Sequence, residues 1–308
     1  MKPTLKIGTR ESELAVWQAT QVQTLLKEAG VTSELIYIKS EGDINTITPL
    51  YELGVQGIFT KTLDAALLNN KIDIAVHSMK DVPTQLAKGI KQAAVLKRAS
   101  YKDVFVYKND KAFLEDRNSK ATIATSSIRR KAQWLHRYPN HSFENLRGNI
   151  NTRLTKVYEN DWKGAIFAAA GLERINLRPE NSVDLNWMLP APAQGAIMIV
   201  CRKDDSFSFE ACKVFNDTNT ALCTKLERDF LRTLLGGCST PISALAEAKN
   251  DTIKFIGNIC SVDGKEKIEI EKESLISDSE QTGISAANEI LQNTTAQIII
   301  HSIRNEKN

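Results

Sequence analysis

Short β-forming runs alternate with amphipathic helical stretches along this chain, and that alternation constrains its fold more than any other feature. Residues 4–10 (TLKIGTR) predict a buried strand, and Ser12 follows at the N-cap position of a helix that should end at Gly30. The order repeats with the strand ELIYIKS, the helix IFTKTLDAALLNN and the strand IDIAVHSMKDVP. A strand–helix–strand order predicts a mostly parallel sheet that is covered by helices.

The same alternation begins again after Tyr101. DVFVY and ATIATSS predict strands, SIRRKAQWLHRYP and NTRLTKVYEN predict helices, and GAIFAAAGL predicts a buried strand or a passage from strand to helix. We therefore expect two α/β domains of similar size. From residue 220 a helix, two strands (TIKFIGNIC and KIEIEKESL) and a helix across TGISAANEILQN predict a small α+β third domain. Residues 40–56 show no clear period, so we expect a mobile loop or lid there.

Charge and cysteine content exclude several classes of function. The 308 residues carry 40 Lys and Arg against 37 Asp and Glu, and a net charge of +3 argues against a nucleic-acid partner. No apolar run approaches the ~18 residues of a membrane span, and the N-terminus lacks a signal-peptide pattern, so we expect a cytoplasmic protein without a membrane partner. The five cysteines form no CxxC pair, so neither a disulfide framework nor a metal site is predicted.

Polar residues gather where predicted strands end, which is where open α/β sheets bind ligands. Three segments have this character, namely 9–12, 77–81 and 125–130. In the last segment Arg129 and Arg130 lie in the first turns of a helix, whose N-terminal N–H groups and dipole favour an anion. The alternative is that Ser126 or Ser127 simply caps this helix.

Further arginines follow at positions 147, 153 and 174. Guanidinium groups bind carboxylates bidentately, so a site lined by these arginines would suit a polycarboxylate ligand. Scattered surface charge is the alternative interpretation of each one.

Cys238 lies in the segment GGCSTP, where its neighbours favour turns and exposed loops. A buried structural thiol is more usual inside an apolar helix or strand. The residues alone leave both a reactive and an inert thiol open.

Eight segments carry a resemblance to a known family: GTRESELAVWQA, GIFTKTLDAALL, DIAVHSMKDVPT, ATSSIRRKAQ, LRGNINTRL, AAAGLERI, LPAPAQGAI and LLGGCSTPI. In order and spacing they resemble the hydroxymethylbilane synthase family, also called porphobilinogen deaminase, as far as about Ile242. The resemblance implies an α/β fold class, with two domains like type II periplasmic binding proteins and a small C-terminal α+β domain. The implied boundaries are 1–97 with 197–213 for domain 1, 98–196 for domain 2 and 218–308 for domain 3.

The resemblance also implies the activity. The chain is expected to be a transferase of haem and other tetrapyrrole biosynthesis that deaminates porphobilinogen and joins four units head-to-tail, then releases hydroxymethylbilane. Chain growth would begin on a dipyrromethane cofactor that Cys238 holds through a thioether. A monomer is implied, with porphobilinogen as its small-molecule partner.

The same resemblance assigns residues to the site. Asp81 would be catalytic, because a shielded carboxylate can stabilise the positive charge left on a pyrrole nitrogen after loss of ammonia and can relay protons. The alternatives for Asp81 are an ion pair with Lys80 and a helix N-cap. The cofactor residues would be Cys238, Ser78, Lys80, Thr125, Ser127, Arg129 and Arg130. The substrate residues would be Arg10, Ser12, Gln18, Arg147, Arg153, Arg174 and Gln194.

Three positions depart from the family's pattern. Glu52 and Gln56 stand where bacterial members often carry lysines, which puts in doubt any role of that loop in attracting anionic intermediates. Ala193 replaces a glycine that is usual in its motif. Two other functions stay open from the residues: a solute-binding module that clamps a dicarboxylate, and a hydrolase that uses Ser126 or Ser127 without a GxSxG motif.

Overall fold

The computed structural model describes residues 4–40, 60–234 and 240–305. Its strands are β1 (Leu5–Thr9), β2 (Ser33–Tyr37), β3 (Ile74–Ser78), β4 (Ile90–Val95), β5 (Asp103–Tyr107), β6 (Thr122–Ala124), β7 (Ser142–Glu144), β8 (Gly164–Ala168), β9 (Ser182–Asp184), β10 (Ile197–Arg202), β11 (Ile242–Lys249), β12 (Thr252–Cys260) and β13 (Lys267–Leu275). Its α-helices are α1 (Glu13–Glu28), α2 (Lys61–Leu68), α3 (Ile128–Arg137), α4 (Ile150–Glu159), α5 (Ala169–Arg174), α6 (Ser206–Lys213), α7 (Thr218–Leu234), α8 (Thr282–Gln292) and α9 (Thr294–Asn305). Short 3-10 helices cover Met79–Asp81, Ala112–Leu114 and Ile276–Gln281.

Contacts divide the described residues into two units. The first contains 4–40, 60–99 and 195–222, and the second contains 100–194, 223–234 and 240–305. The division into three domains remains a prediction.

The first unit is built on a five-stranded sheet with the order β2-β1-β3-β10-β4. β1 pairs in parallel with β2 and β3, whereas β10 runs antiparallel to β3 and β4. Four strands therefore point one way, and the strand that the chain supplies last points the other way. The apolar side chains of β1, β3 and β10 are buried together with Val22 and Leu26 of α1, which explains why this helix is amphipathic.

The second unit contains a sheet with an equivalent order, β7-β6-β8-β5-β9. β6 pairs in parallel with β7 and β8, and β5 runs antiparallel to β8 and β9. Successive residues of β5 face opposite sides of the sheet, and both sides are buried. Val104 and Val106 belong to one apolar cluster, and Phe105 belongs to another with Trp134 of α3.

The rest of the second unit is an antiparallel sheet of β11, β12 and β13 with α8 and α9 against it. Phe230 of α7 packs on Phe255 of β12, with 5.3 Å between the ring centroids. The β12–β13 hairpin touches α3 at its tip, where the ring nitrogen Nδ1 of His136 lies 2.9 Å from the backbone oxygen of Gly264. This contact places the small sheet against the helix that carries Arg129 and Arg130.

This topology confirms the predicted α/β fold class, with two mixed five-stranded sheets and a small C-terminal α+β region. The strands and helices that the sequence analysis assigned are present, and GAIFAAAGL is a passage from β8 into α5. No prediction from the sequence covered β4, β7, β9, β10, β11, α6 and α9. Short buried strands lack the polar alternation that distinguishes a strand from a buried helix.

Candidate active site

The first group of site residues lies at the carboxyl edge of the first sheet. Gly8 of β1 is in register with Ala75 of β3, so Arg10, just beyond β1, and Ser78, at the end of β3, emerge at the same edge. Gln18 of α1 reaches this edge, and its Nε2 donates to Ser78 Oγ at 2.9 Å. The sheet register and the helix therefore bring predicted cofactor and substrate residues of this unit together.

Lys80 and Asp81 follow Ser78 on the 3-10 helix Met79–Asp81, and both are half-buried. The backbone N–H of Met79 donates to the oxygen of Ala196 at 3.0 Å, which fixes the start of this turn to the chain that leads into β10. Asp81 is the last residue of the 3-10 helix, so the N-cap alternative is wrong.

Ser12 is the N-cap residue of α1, as expected, but its side chain makes no capping hydrogen bond. Its backbone oxygen accepts from Val16 N at 2.9 Å instead. Helix capping therefore does not explain the hydroxyl of Ser12.

His77, next to Ser78, is buried on β3. Burial, together with the charge of Arg10, lowers the pKa of His77 to about 4. Its Nε2 has no hydrogen-bond partner among the described residues. The imidazole is therefore neutral at physiological pH.

The second group begins where β6 runs into α3. Thr125 Oγ1 accepts from the N–H of Ser127 at 3.2 Å, and Ser127 Oγ accepts from the N–H of Arg130 at 3.5 Å. Ser127 is thus the helix cap that was the alternative interpretation. Ser126 Oγ donates to Leu146 O at 2.7 Å and accepts from Leu146 N at 2.9 Å. These bonds give Ser126 a structural role and argue against a hydrolytic nucleophile.

Asp103, the first residue of β5, is the centre of a buried hydrogen-bond cluster that the sequence analysis missed. Its Oδ2 accepts from Arg129 NH2 at 2.6 Å. Its Oδ1 accepts from Arg130 Nε at 3.1 Å, Arg130 NH2 at 2.7 Å and Gln194 Nε2 at 2.9 Å. We call Asp103, Arg129, Arg130 and Gln194 the Asp103 cluster. It joins three residues that the resemblance assigned to cofactor or substrate.

Backbone oxygens hold the arginines of the Asp103 cluster from the other side. Arg129 NH1 donates to Leu189 O at 2.7 Å, and Arg130 NH1 donates to Ile166 O at 2.9 Å. Burial alone would raise the pKa of Asp103, but the charges of Arg129 and Arg130 outweigh it and hold that pKa well below its usual value. Burial lowers the pKa of Arg129, and the charge of Asp103 opposes that change. One carboxylate and two guanidinium groups leave the cluster with a net charge of +1.

The remaining predicted arginines lie on separate elements of the second unit. Arg147 is buried just before α4, and burial lowers its pKa. Arg153, on α4, donates from Nε to Gly148 O at 2.8 Å. Arg174 ends α5, and burial, partly offset by Glu173, lowers its pKa to about 10. Arg174 remains charged at neutral pH, and Arg147 is not the exposed charge of the alternative interpretation.

Cys238, Glu52 and Gln56 lie outside the described residues, as do residues 41–56 of the predicted lid. The cysteines that are described, at 201, 212, 223 and 260, are all buried. Burial raises the pKa of Cys201 to about 11 and those of Cys212 and Cys260 to about 12. These three thiols are therefore poor nucleophiles.

Asp103 could have been suspected from the sequence, because it is a charged residue directly before the apolar run VFVY. Nothing local pairs it with arginines 26 and 27 residues away. In the described part of the chain, no three or more His, Cys, Asp or Glu side chains are arranged to hold a metal ion. No helix there is long and apolar enough to cross a membrane.

The described residues form an α/β protein in which buried arginines cluster around Asp103. Comparison with known proteins identifies the family. Residues 5–210 match the family model described as "Porphobilinogen deaminase, dipyromethane cofactor binding domain", and residues 221–292 match "Porphobilinogen deaminase, C-terminal domain". The chain belongs to the porphobilinogen deaminase family, as its sequence segments predicted.

The similarity to known porphobilinogen deaminases extends over most of the chain. The porphobilinogen deaminase of Chlorobium phaeobacteroides is 41% identical over 307 residues, which cover 97% of this chain and 98% of that protein. The probable porphobilinogen deaminase of Methanocaldococcus jannaschii is 43% identical over 257 residues, which cover 82% and 86% of the two chains. The predicted enzyme class is thereby confirmed.

Proposed function

We propose that this chain polymerises porphobilinogen to hydroxymethylbilane on a dipyrromethane that Cys238 holds through a thioether. The deaminase activity follows from the family, whose two models together match most of the chain, and this match carries the proposal. The attachment to Cys238, the roles of individual residues, the monomeric state and the cytoplasmic location are our proposal.

The donor set of the second unit fits a carboxylate-bearing cofactor. The Asp103 cluster has a net positive charge, and its guanidinium N–H groups prefer planar carboxylates. We assign Arg129 and Arg130 to the cofactor, with Thr125 and Ser127 beside them at the start of α3. Ser78 and Lys80 are likewise assigned to the cofactor, as the family resemblance implies. When bound, the dipyrromethane supplies the pyrrole carbon to which the first porphobilinogen is added.

Asp81 is the residue to which we assign the catalytic role. Its carboxylate is only half-buried, so it can contact a ligand while partly shielded from water. Loss of ammonia from porphobilinogen leaves positive charge on the pyrrole nitrogen, and a fixed carboxylate stabilises such charge more strongly than water does. The same group can also relay protons, because it can take up a proton as a carboxylate and then pass it on to the departing amine.

The acetate and propionate groups of each porphobilinogen need cationic or hydrogen-bonding partners. We assign Arg10, Ser12, Gln18, Arg147, Arg153 and Arg174 to this task. The burial of Arg147 supports the assignment, because a buried guanidinium favours an anionic partner. The family resemblance also assigned Gln194 to the substrate, but its Nε2 donates to Tyr101 O at 2.8 Å and to Asp103 Oδ1 at 2.9 Å. We therefore propose that Gln194 supports the arginines rather than the substrate directly.

The solute-binding module that the residues alone left open needs no reactive thiol, and membership of the porphobilinogen deaminase family argues against it. Intact-protein mass spectrometry separates the two. The purified chain should be heavier than its sequence by one dipyrromethane, with the added mass on the peptide that contains Cys238. Cys238→Ser should have the unmodified mass and no activity.

Cys212→Ser is the matched control, because it removes a buried thiol with a pKa of about 12. This variant should still carry the adduct. A wild-type protein that is active without an adduct would refute the attachment, and one that is neither modified nor active would favour the binding module.

A further inference from the structure

In the Asp103 cluster the protein itself uses several N–H donors of both arginines, more than binding a ligand would require. A guanidinium has five N–H donors. In Arg130 three of them, on Nε, NH2 and NH1, are used by Asp103 and the oxygen of Ile166. In Arg129 two are used, by Asp103 and the oxygen of Leu189. The protein therefore fixes both guanidinium planes, and leaves more donors on Arg129 than on Arg130.

Burial makes these bonds important for stability as well as for geometry. Asp103 is fully buried, and Arg129 and Arg130 are 4% and 7% exposed. Two adjacent buried guanidinium groups repel each other, and each loses its hydration. A carboxylate between them offsets both costs. Asp103 offers one oxygen to each arginine, so it holds the two at a set distance while it cancels half of their charge.

The position of Asp103 follows from the sheet. β5 runs antiparallel to β8, and Asp103 is in register with Ala168, the last residue of β8. The start of β5 is thus brought to the carboxyl edge of the parallel strands, next to the beginning of α3. Asp103, which lies outside the segment that contains Arg129 and Arg130, in this way comes into contact with both arginines.

We propose that Asp103 is a positioning residue, which holds Arg129 and Arg130 as one rigid cation with a net charge of +1 that takes a single carboxylate of the ligand. The inference rests on the proposed function, because the ligand carboxylate is that of the dipyrromethane. Asp103 itself is behind the arginines and acts through them.

The test is the rate at which apo-protein acquires the dipyrromethane mass when it is incubated with porphobilinogen. Asp103→Asn keeps the shape of the side chain but removes its charge and turns one acceptor into a donor. Because a misplaced binding group commonly costs up to about a hundredfold, we expect loading to be about tenfold to a hundredfold slower. The porphobilinogen concentration for half-maximal loading should rise as well. If Asp103 only reduced the positive charge, the same variant would load as fast as wild type or faster, and that result would overturn the proposal.

Two controls separate positioning from loss of stability. Asp184→Asn removes a carboxylate from β9 of the same sheet that pairs with Lys102 and Arg178 at the surface, and loading should be unchanged. Gly257→Ala crowds the ring of Phe230, 2.6 Å from the new Cβ, and lowers stability away from the arginines. It should load at the wild-type rate at a temperature where it is folded. Equal loss of loading in Gly257→Ala would assign the effect of Asp103→Asn to stability.

Asp103→Glu serves if Asp103→Asn does not fold. It keeps the charge and the ion pairs but moves the carboxylate by one methylene group, so it should fold and still load slowly. Normal loading in this variant would overturn the positioning role. Failure of the wild-type chain itself to acquire an adduct would overturn the proposed function and this inference with it, whereas equal loading of wild type and variant would overturn the inference alone.

Discussion

The two five-stranded sheets share one strand order, yet they present different groups at their carboxyl edges. In the first sheet the antiparallel strand β10 begins with Ile197, opposite Ser78. In the second sheet the corresponding strand β5 begins with Asp103, opposite Ala168. At this edge the first unit has a half-buried carboxylate, Asp81, on the turn after β3. The second unit has a fully buried carboxylate, Asp103, on its antiparallel strand.

This difference decides what each carboxylate can do. A half-buried carboxylate can contact a ligand, whereas a buried one that already accepts four hydrogen bonds from three side chains can act only through the groups it holds. Equivalent topology thus supports a catalytic assignment in one unit and a positioning assignment in the other.

The largest expected effect is the loss of turnover when Asp81 is replaced. Asp81→Ala should still acquire cofactor, at least in part, but kcat for porphobilinogen consumption should fall by about 10²–10³-fold, because a fixed electrostatic group is lost. Asp204→Ala, an exposed carboxylate of the same unit, is the control and should keep its kcat. A near wild-type kcat in Asp81→Ala would remove the contrast with Asp103.

Two glycines with positive φ, one in each unit, differ in how closely their own surroundings are packed. Gly264 (φ +74) touches α3, and a Cβ there would lie 2.6 Å from His136 N and 2.7 Å from Ala132 O. Gly30 (φ +72) has nothing within 4 Å of such a Cβ. Gly30→Ala should cost about 1 kcal/mol of unfolding free energy from backbone strain alone, and Gly264→Ala about 2–4 kcal/mol because the backbone of α3 must also move. Urea unfolding measures both, and equal losses would mean that the hairpin tip is not packed on α3.

Two buried histidines also distinguish the units. His77 in the first has an unsatisfied Nε2 in the described structure, whereas His141 in the second accepts from Trp134 Nε1 at 3.0 Å and lies 2.9 Å from Ser119 Oγ. His77 has a folded pKa of about 4 against its usual 6.5, so the unfolded chain takes up a proton between these values and the folded chain does not. The contribution of His77 to stability is complete above pH 6.5 and is lost as the pH falls towards 4.

The size of this effect is bounded by one proton, which is about 1.4 kcal/mol per pH unit. His77→Gln should lack that part of the slope of unfolding free energy between pH 6.5 and 4, while His301→Gln on the surface of α9 should keep it. Asp64, whose burial raises its pKa to about 6, has the opposite dependence, so the difference between variant and wild type is the quantity to measure. An unchanged slope in His77→Gln would contradict the assignment of a buried neutral imidazole.

The smallest expected effect concerns Ala193, which has φ +63 although it is not glycine. Its N–H donates to Glu227 Oε2 at 2.6 Å, which holds it in this conformation. Ala193→Gly relieves about 1 kcal/mol of strain and offsets the loss of a buried methyl group, so its stability should be close to wild type. Ala19→Gly removes an equally buried methyl from α1 at a helical φ and should be less stable than Ala193→Gly by about 1–2 kcal/mol. Equal losses would show that Ala193 is unstrained.

The sequence by itself predicted most of the helices and strands and the residue types expected at the site. The buried face of a helix or strand produces a periodic pattern of apolar residues over a short stretch of sequence. The elements α1, α3 and β12 were therefore predictable. The family segments likewise predict roles for Cys238, Asp81 and the arginines, because each motif is continuous along the chain.

Only the tertiary structure decided how the second unit holds its arginines. Asp103 meets Arg129 and Arg130 because β5 runs antiparallel to β8 and begins at the edge where β6 ends. Strand order and direction result from packing of both faces of the sheet, and no local pattern encodes them. The buried carboxylate between two guanidinium groups is therefore a product of topology, and the sequence shows it only as a charged residue before an apolar strand.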